Sequence, residues 1–520
     1  MHPHGPPAAS GPGDRSGGSA APPPDGVVLA TPARRSRRGV SRAGVAGPPH
    51  PSRRRWPWVA GVAGATVLVA VVATVGLSRV FGPLGHPQPR STGTAPVVVP
   101  GAAPALPWPG RGQGAVRLPT VGVALQSGPE ASVPIASLTK ITTAVVVLRD
   151  HPLAPGAPGP TVTITPEDYA EYDFEVHHDE SSVPVHAGQQ LTQRQLLEAM
   201  LTQSANDAAF ALATWDAGTV PAFVGRMNAL AASLGMGGTR YVDASGYDQA
   251  SVSTAADVLA VTAAGMALPA FAEIVAMPSI TFPGVGTLPN IVPEVGVNGV
   301  IGVKSGYTSR AGACMVLAAD QNVHGRTVPV LVAVLGQPTP PPVLPTTTTT
   351  TRPPPTTTTT TTTVPGAPPP PPPPPTTTVP PRPAGPTTTT TSIPYDELVI
   401  PDPFKFTRPV VEALLEAARR GVVPVLAAPA HQPVGSVGAR WGGRVHGVAA
   451  VTARDAWLAG WPGGQVASTV TFGHVAPGAG PGTVVGSAAY ALSEERQSVP
   501  VVLAGPVPEP TWWWRLLHGR

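Results

Sequence analysis

Residues 134–148 read PIASLTKITTAVVVL, and this stretch carries the pattern from which the fold is inferred. A proline opens it, and the apolar run that follows predicts a helix from about Ser137 to Leu148. Residues three positions apart on a helix lie on one face, with Cβ atoms about 5–6 Å apart. The amine of Lys140 can therefore reach the hydroxyl of Ser137.

This Ser-x-x-Lys spacing suits nucleophilic chemistry. A serine hydroxyl is a weak nucleophile that needs an adjacent base, and a neutral amine serves if its pKa is depressed. Burial or a nearby cation depresses the pKa of an amine. Ser137 alone could equally be an ordinary helix N-cap. The pair predicts a reactive serine only in combination with further motifs.

A second motif, Ser204-Ala205-Asn206, lies within a helical pattern over 193–217. We expect Ser204 to relay a proton, and Asn206 to hold Lys140 or to donate a hydrogen bond to a substrate amide. On their own these two side chains would be ordinary polar residues on a helix surface.

A third motif, Lys304-Ser305-Gly306, lies in a strand-like run over 299–308. Lys304 can supply a cation near Lys140 and, with Ser305, can bind a terminal carboxylate. Gly306 leaves room for a substrate backbone against the strand edge. Taken alone, Lys304 would be a solvated strand residue.

The scarcity of lysine in the chain supports a functional interpretation of the three motifs taken together. The chain has 33 Lys and Arg residues, and only Lys140, Lys304 and Lys405 among them are lysines. Arginine cannot replace lysine where the amine must lose its proton or act as a compact point charge. Two of the three lysines fall within the motifs, which favours a chemical role for both.

The pattern of apolar residues predicts an α+β fold. Two β-rich runs, 299–308 and the hairpin 312–336, follow several helical segments, and this order indicates helices packed on an antiparallel sheet. The other predicted elements are a strand in 116–126 and helices in 193–217, 224–234 and 255–265.

The N-terminal part predicts a membrane anchor. Residues 1–55 are rich in Pro, Gly and Arg and indicate a disordered basic tail. The uncharged run 58–77, within a predicted transmembrane helix at 56–79, is long enough to cross a bilayer. The positive-inside rule puts the tail in the cytoplasm and the chain after about residue 80 outside. The alternative is a cleaved signal peptide.

The remaining segments differ sharply in composition. Residues 80–112 predict an extended spacer, and 338–399 are almost wholly Thr and Pro and cannot form a core. An amphipathic helix is predicted in 402–420, and 422–510 predict a small all-β domain. The single cysteine, Cys314, sits in an apolar run and is interpreted as a buried hydrophobic residue.

The three motifs and their surroundings resemble the D-alanyl-D-alanine carboxypeptidase family of low-molecular-mass penicillin-binding proteins. The resemblance covers about residues 117–337 and includes the segments LTQRQLLEAMLTQSANDAAFALA, MNALAASLGMGGTRYVDASG, STAADVLAV and GVIGVKSGYTSRAGACMVLAA. It implies a β-lactamase/D,D-peptidase-like catalytic domain over 113–337 and 400–421, interrupted by the Thr/Pro tract.

The resemblance also implies roles for the motif residues. Ser137 would be the acylated nucleophile, Lys140 its base, and Ser204 and Asn206 the second motif. Lys304 and Ser305 would bind the carboxylate end of the substrate. The backbone N–H groups of Ser137 and of Tyr307, directly after Gly306, would form the oxyanion hole.

The implied function is a serine-type D-alanyl-D-alanine carboxypeptidase that acts on peptidoglycan stem peptides and is acylated by β-lactams. A D,D-endopeptidase that cleaves crosslinks, or an inactive wall-binding scaffold, is the alternative. No cofactor is expected, and the sequence shows no basic stripe for nucleic acid after residue 110.

Two clusters invite other readings. His177, His178, Asp179 and Glu180 could be offered as metal ligands, but an exposed acidic turn is favoured and no metal is expected. The terminal run Trp512–Trp514 with Arg515 predicts either contact with a membrane interface or a disordered end.

Overall fold

The computed structural model describes residues 56–341 and 401–518, except Thr94 and Glu130. The predicted basic tail and nearly all of the predicted Thr/Pro tract lie outside these ranges. The chain falls into two compact units, Met1–Val75 and Gly76–Arg520. One described helix begins in the first unit and ends in the second, and all other described elements belong to the second.

The predicted apolar helix is confirmed as a helix. It runs from Trp56 to Phe81, and its segment Trp58–Phe81 has a mean hydropathy of 2.2. This length and composition are sufficient to cross a bilayer.

Helices and strands follow one another along the described chain. The helices are α1 (Trp56–Phe81), α2 (Thr139–Asp150), α3 (Pro166–His177), α4 (Gln193–Thr202), α5 (Asn206–Ala217), α6 (Val220–Ser233), α7 (Ala255–Met266), α8 (Pro269–Val275), α9 (Thr407–Arg420) and α10 (Trp512–His518). The strands are β1 (Gln88–Ser91), β2 (Val97–Val98), β3 (Gln113–Leu118), β4 (Val123–Gln126), β5 (Val133–Pro134), β6 (Thr161–Thr163), β7 (Gln190–Thr192), β8 (Val252–Ser253), β9 (Ser279–Phe282), β10 (Gly286–Pro289), β11 (Val300–Thr308), β12 (Gly312–Val323), β13 (Arg326–Gln337), β14 (Val423–Ala428), β15 (Pro433–Trp441), β16 (Arg444–Thr452), β17 (Ala456–Gly460), β18 (Gln465–Phe472), β19 (Val484–Leu492) and β20 (Glu495–Leu503).

A five-stranded antiparallel sheet, in the order β11-β12-β13-β3-β4, lies between two hydrophobic cores. Successive side chains of a strand point to opposite faces. On β12, Val316 and Ala318 join the core that contains α2, α4 and α7, whereas Leu317 and Ala319 join the core that contains α9. The predicted fold class, helices on an antiparallel sheet, is confirmed.

Helix α9 covers the second face of this sheet. Its apolar side chains Val411, Leu414 and Leu415 are buried, and it packs against β12 and β13. The predicted helix in 402–420 is therefore confirmed, and it completes the core although it follows the Thr/Pro tract in sequence.

The helical pattern over 193–217 is not one helix. Helix α4 ends at Thr202 and α5 begins at Asn206, because Ser204 takes a left-handed conformation with φ of 64° that interrupts the helix. The second motif therefore lies at a break between two helices and is buried, which the periodicity alone did not predict.

The strand-rich region predicted at the C-terminus is present as a seven-stranded sheet in the order β1-β15-β16-β20-β19-β18-β2. Two of its strands, β1 and β2, come from the segment predicted to be a spacer and pair with β15 and β18. The prediction of 80–112 as a mere spacer therefore missed two strands, because segments this short carry no readable alternation. The terminal tryptophans lie in helix α10.

We predict that Leu414→Ala lowers the free energy of unfolding by about 2–5 kcal/mol, because it leaves a cavity between α9 and the sheet. Thermal and urea unfolding of the detergent-solubilised chain would measure the loss. Glu412→Ala, at an exposed position of the same helix, is the control and should change stability little. Equal effects of the two substitutions would show that α9 does not stabilise the sheet.

Candidate active site

The serine of the first motif lies in a tight turn before a helix. Residues Ala136–Leu138 form one turn of 3-10 helix, and α2 follows directly. Gly246, with φ of 85°, packs so closely that a Cβ there would lie 1.9 Å from the carbonyl oxygen of Ala136. Only glycine fits at this contact, so the loop around Gly246 holds the turn that carries Ser137.

The amine of Lys140 is fully buried and fully hydrogen-bonded. Its Nζ lies 2.9 Å from Ser137 Oγ, 2.6 Å from Asn206 Oδ1 and 2.9 Å from the carbonyl oxygen of Ser245. Burial lowers its pKa to about 8, although nearby carboxylates, Asp243 first, oppose this effect. A substantial fraction of the amine is therefore neutral near physiological pH and able to accept a proton.

Asn206 is held from its other side by a buried carboxylate. Its Nδ2 donates to Glu175 Oε2 at 2.8 Å, so its amide oxygen is turned toward Lys140. Burial raises the pKa of Glu175, on α3, to about 7. The second oxygen of this carboxylate, Oε1, is buried and forms no hydrogen bond with a described residue. A line of contacts thus runs from Glu175 through Asn206 and Lys140 to Ser137.

A second carboxylate shapes the loop that supplies the third acceptor of Lys140. Asp243 accepts hydrogen bonds from the Ser245 hydroxyl at 2.9 Å and from the Gly246 amide at 2.8 Å, and it also accepts from the Ser251 hydroxyl. These bonds fix the backbone at Ser245, whose carbonyl faces Lys140. Sequence analysis assigned no role to Asp243, Ser245 or Glu175, since none belongs to a short motif.

Ser204 sits near this group without bonding to it. It is buried in the break before α5. Within the described residues its hydroxyl makes no hydrogen bond to Ser137 or Lys140. Asp207, two residues beyond Ala205, is also buried and accepts a hydrogen bond from the Val183 amide at 3.3 Å, which is a structural contact.

The third motif lies on β11 at the edge of the central sheet. Lys304 is fully buried and donates to the carbonyl oxygen of Ser305 at 2.8 Å. Its pKa lies well below the usual range because of burial, with the charge of Lys140 adding to the effect. Burial, rather than a cation at Lys304, is therefore the main cause of the depressed pKa of Lys140. Ser305 Oγ is buried without a hydrogen-bond partner among described residues.

Gly306 allows the third motif to pack against the turn Ala136–Leu138, which carries Ser137. A Cβ at this position would lie 2.8 Å from the Ser137 amide nitrogen and 3.1 Å from that of Leu138. The strand can approach this closely only because residue 306 has no side chain. Tyr307 follows directly on β11, the strand that packs against the turn of Ser137, and its side chain is exposed.

The histidine cluster shows no features of a metal site. The Nδ1 atoms of His177 and His178 contact the backbone oxygens of Asp173 and Phe174 at 2.6 and 2.7 Å. Among the described residues, no group of three His, Cys, Asp or Glu side chains is placed to hold a metal ion. Cys314 is buried, and burial raises the pKa of its thiol to about 12, as expected for an unreactive side chain.

Comparison with known proteins agrees with this geometry. A family model described as D-alanyl-D-alanine carboxypeptidase matches residues 119–339. A D-alanyl-D-alanine carboxypeptidase of Streptomyces sp. is 32% identical over 209 residues, which are 37% of this chain and 69% of that protein. The chain belongs to the D-alanyl-D-alanine carboxypeptidase family of serine peptidases.

Two further relatives are named for two different activities. The D-alanyl-D-alanine carboxypeptidase DacB2 of Mycobacterium tuberculosis is 37% identical over 30% of this chain and 57% of that protein. A D-alanyl-D-alanine endopeptidase of Pseudomonas aeruginosa is 34% identical over 37% of this chain and 62% of that protein. The chain thus spans less than two thirds of the length of both proteins.

We predict that Glu175→Gln lowers the pH midpoint of Ser137 acylation by about one unit, the size expected for one nearby charge. The negative carboxylate favours protonated Lys140, and glutamine keeps the acceptor for Asn206 but not the charge. The rate of labelling by a fluorescent penicillin, followed from pH 5 to 10, would measure the shift. Glu167→Gln, exposed on the same helix, is the control. An unchanged midpoint in Glu175→Gln would contradict the electrostatic link.

Proposed function

We propose that this protein is a serine-type D-alanyl-D-alanine carboxypeptidase that trims peptidoglycan stem peptides through an acyl-enzyme and binds penicillin covalently. The observation that carries the proposal is the 2.9 Å contact between Lys140 Nζ and Ser137 Oγ, made by a buried amine with a pKa of about 8. A neutral amine at this distance is a suitable base for a serine nucleophile.

The first step is acylation. Ser137 Oγ attacks the carbonyl carbon of the penultimate D-Ala while its proton passes to Lys140. Asn206 and the Ser245 carbonyl hold the resulting ammonium, and both already accept hydrogen bonds from this nitrogen. The peptide bond then breaks, Lys140 returns the proton to the leaving amine of D-Ala, and an ester remains on Ser137.

Strand β11 would contribute both to the binding of the oxyanion and to the binding of the substrate carboxylate. The backbone N–H groups of Ser137 and Tyr307 would bind the oxyanion, and the close contact at Gly306 keeps the two segments together. Lys304 and Ser305 would receive the terminal carboxylate. The Ser305 hydroxyl is buried without a partner among the described residues, and the Lys304 amine makes one hydrogen bond, so an anion could accept a hydrogen bond from each.

Water then attacks the ester carbonyl as neutral Lys140 accepts its proton, and Lys140 passes that proton to Ser137 Oγ as the ester bond breaks and the shortened stem peptide leaves. A β-lactam would acylate the same serine and remain bound, because its leaving group stays attached to the acyl chain. Ser204, buried beside Asn206, is proposed to relay the proton from Lys140 to the leaving amine.

A D,D-endopeptidase is the second candidate, because the relative from Pseudomonas aeruginosa carries that name. Both activities use the same acyl-transfer chemistry and differ in the chain that leaves. An inactive scaffold has less support, since the residues of all three motifs are present and Ser137, Lys140 and Asn206 lie in contact.

The same proposal includes the arrangement of the chain. Helix α1 would anchor the protein in the cell membrane, with residues 1–55 in the cytoplasm and the catalytic domain outside. That domain would comprise 113–337 and 400–421, interrupted by the tract 338–399. The region 422–510 would form a separate small β domain whose sheet also includes β1 and β2.

We predict that the full chain in neutral detergent forms a covalent band with fluorescent penicillin, and that Ser137→Ala abolishes it. Lys140→Arg should slow labelling by about 10²–10⁴-fold, because arginine keeps its proton at the pH of the assay. Ser233→Ala and Lys405→Arg, at exposed positions, are the matched controls and should label normally. A band that survives Ser137→Ala would exclude this serine as the nucleophile, and no band in folded wild type would favour the scaffold.

A second prediction separates the two peptidase activities. The protein should release D-Ala from a stem pentapeptide at least tenfold faster than it cleaves a crosslinked muropeptide dimer. Amino-acid analysis and chromatography of the two digests would measure the rates. The reverse order would make the endopeptidase the main activity.

A further inference from the structure

A cavity of about 530 Å³ lies at the C-terminal β region. None of the residues of the three motifs lines it. The end of helix α1, the segment 82–90, strand β15 and the segment 507–515 form its walls. The volume falls in the range of small-molecule sites, about 300–1,000 Å³.

The lining is strongly positive. Arg79, Arg90, Arg440 and Arg515 line the cavity, and Glu509 is its one carboxylate. In the described ranges none of the four arginines forms an ion pair, whereas other arginines of the chain, such as Arg194, do. This excess of uncompensated guanidinium groups favours an anionic ligand, and planar guanidinium suits phosphate oxygens.

Arg515 shows this lack of partners in detail. One of its terminal nitrogens donates to the carbonyl oxygen of Gly82 at 2.6 Å, which holds the side chain at the cavity wall. Its Nε is buried and has no hydrogen-bond partner among the described residues. A buried donor without an acceptor is costly unless a ligand supplies one.

Indole rings border the same cavity. Trp441 and Trp514 contribute to its lining, and the neighbouring Trp512 and Trp513 are 52% and 57% exposed. Tryptophan is enriched where protein meets the headgroup layer of a membrane. Arg79, which lines the cavity, lies two residues after the uncharged run that ends at Leu77 and within the last turn of helix α1.

We propose that this cavity binds the phosphate-bearing headgroup of an anionic membrane lipid, with the arginines on the phosphate and the indole rings at the headgroup layer. The proposal rests on the membrane anchoring included in the proposed function and is independent of the peptidase chemistry. Binding would fix the C-terminal β region next to the bilayer and make that contact sensitive to lipid charge and to salt.

The test uses the full chain in neutral detergent and isothermal titration calorimetry. The probes are dihexanoyl phosphatidylglycerol, dihexanoyl phosphatidylcholine and inorganic phosphate. We expect phosphatidylglycerol to bind saturably and at least tenfold more tightly than the other two, with an affinity that falls as salt rises. The double variant Arg90→Gln/Arg440→Gln should weaken this binding at least tenfold.

The matched control is Arg149→Gln/Arg496→Gln, which removes two exposed arginines outside the cavity and should bind as wild type does. Arg90→Gln alone, at an exposed position of β1, serves if the double variant unfolds. Equal binding of phosphatidylcholine, equal binding of inorganic phosphate, equal loss in the control, or no saturable binding would each overturn the proposal. Penicillin labelling of the same samples reports the peptidase site separately, so failure of one proposal is distinguishable from failure of the other.

Discussion

The buried amine of Lys140 is the group on which the arrangement of the site depends. A lysine side chain in an apolar core is unstable as a cation unless each of its three protons has an acceptor. Here those acceptors come from the 3-10 turn, from α5 and from the loop at Ser245. Three segments that are distant in sequence are therefore held together by one nitrogen atom, and the same contacts place this amine 2.9 Å from the Ser137 hydroxyl.

The central sheet makes this burial possible. The two faces of the sheet pack against separate cores, which fixes the position of β11, the strand that bears Lys304. At Gly306 this strand can therefore lie against the turn that carries Ser137. The site is consequently built from regular elements, one tight turn and a loop that the hydrogen bonds of Asp243 hold in place, which suits chemistry that requires fixed distances.

Sequence reasoning found the parts of this site that reside in short motifs. Ser137 and Lys140 were predictable because helical spacing brings them together, and lysine scarcity singled out Lys140 and Lys304. Glu175 and Asp243 were not predictable in the same way. Each acts through a contact across the fold, and neither periodicity nor composition marks a carboxylate that will be buried. Strands β1 and β2 were missed for a related reason, since their pairing partners lie more than 300 residues away in sequence.

The position of α9 has a consequence for how the length of the Thr/Pro tract can vary. Helix α9 follows the tract in sequence and packs against β12 and β13, so the two ends of the tract join elements of one core, as the ends of a loop do. The entropy of closing such a loop grows only logarithmically, and doubling its length costs about 0.6 kcal/mol. Residues can therefore be gained or lost in this stretch at almost no cost to the folded core, which leaves the length of the tract free to vary.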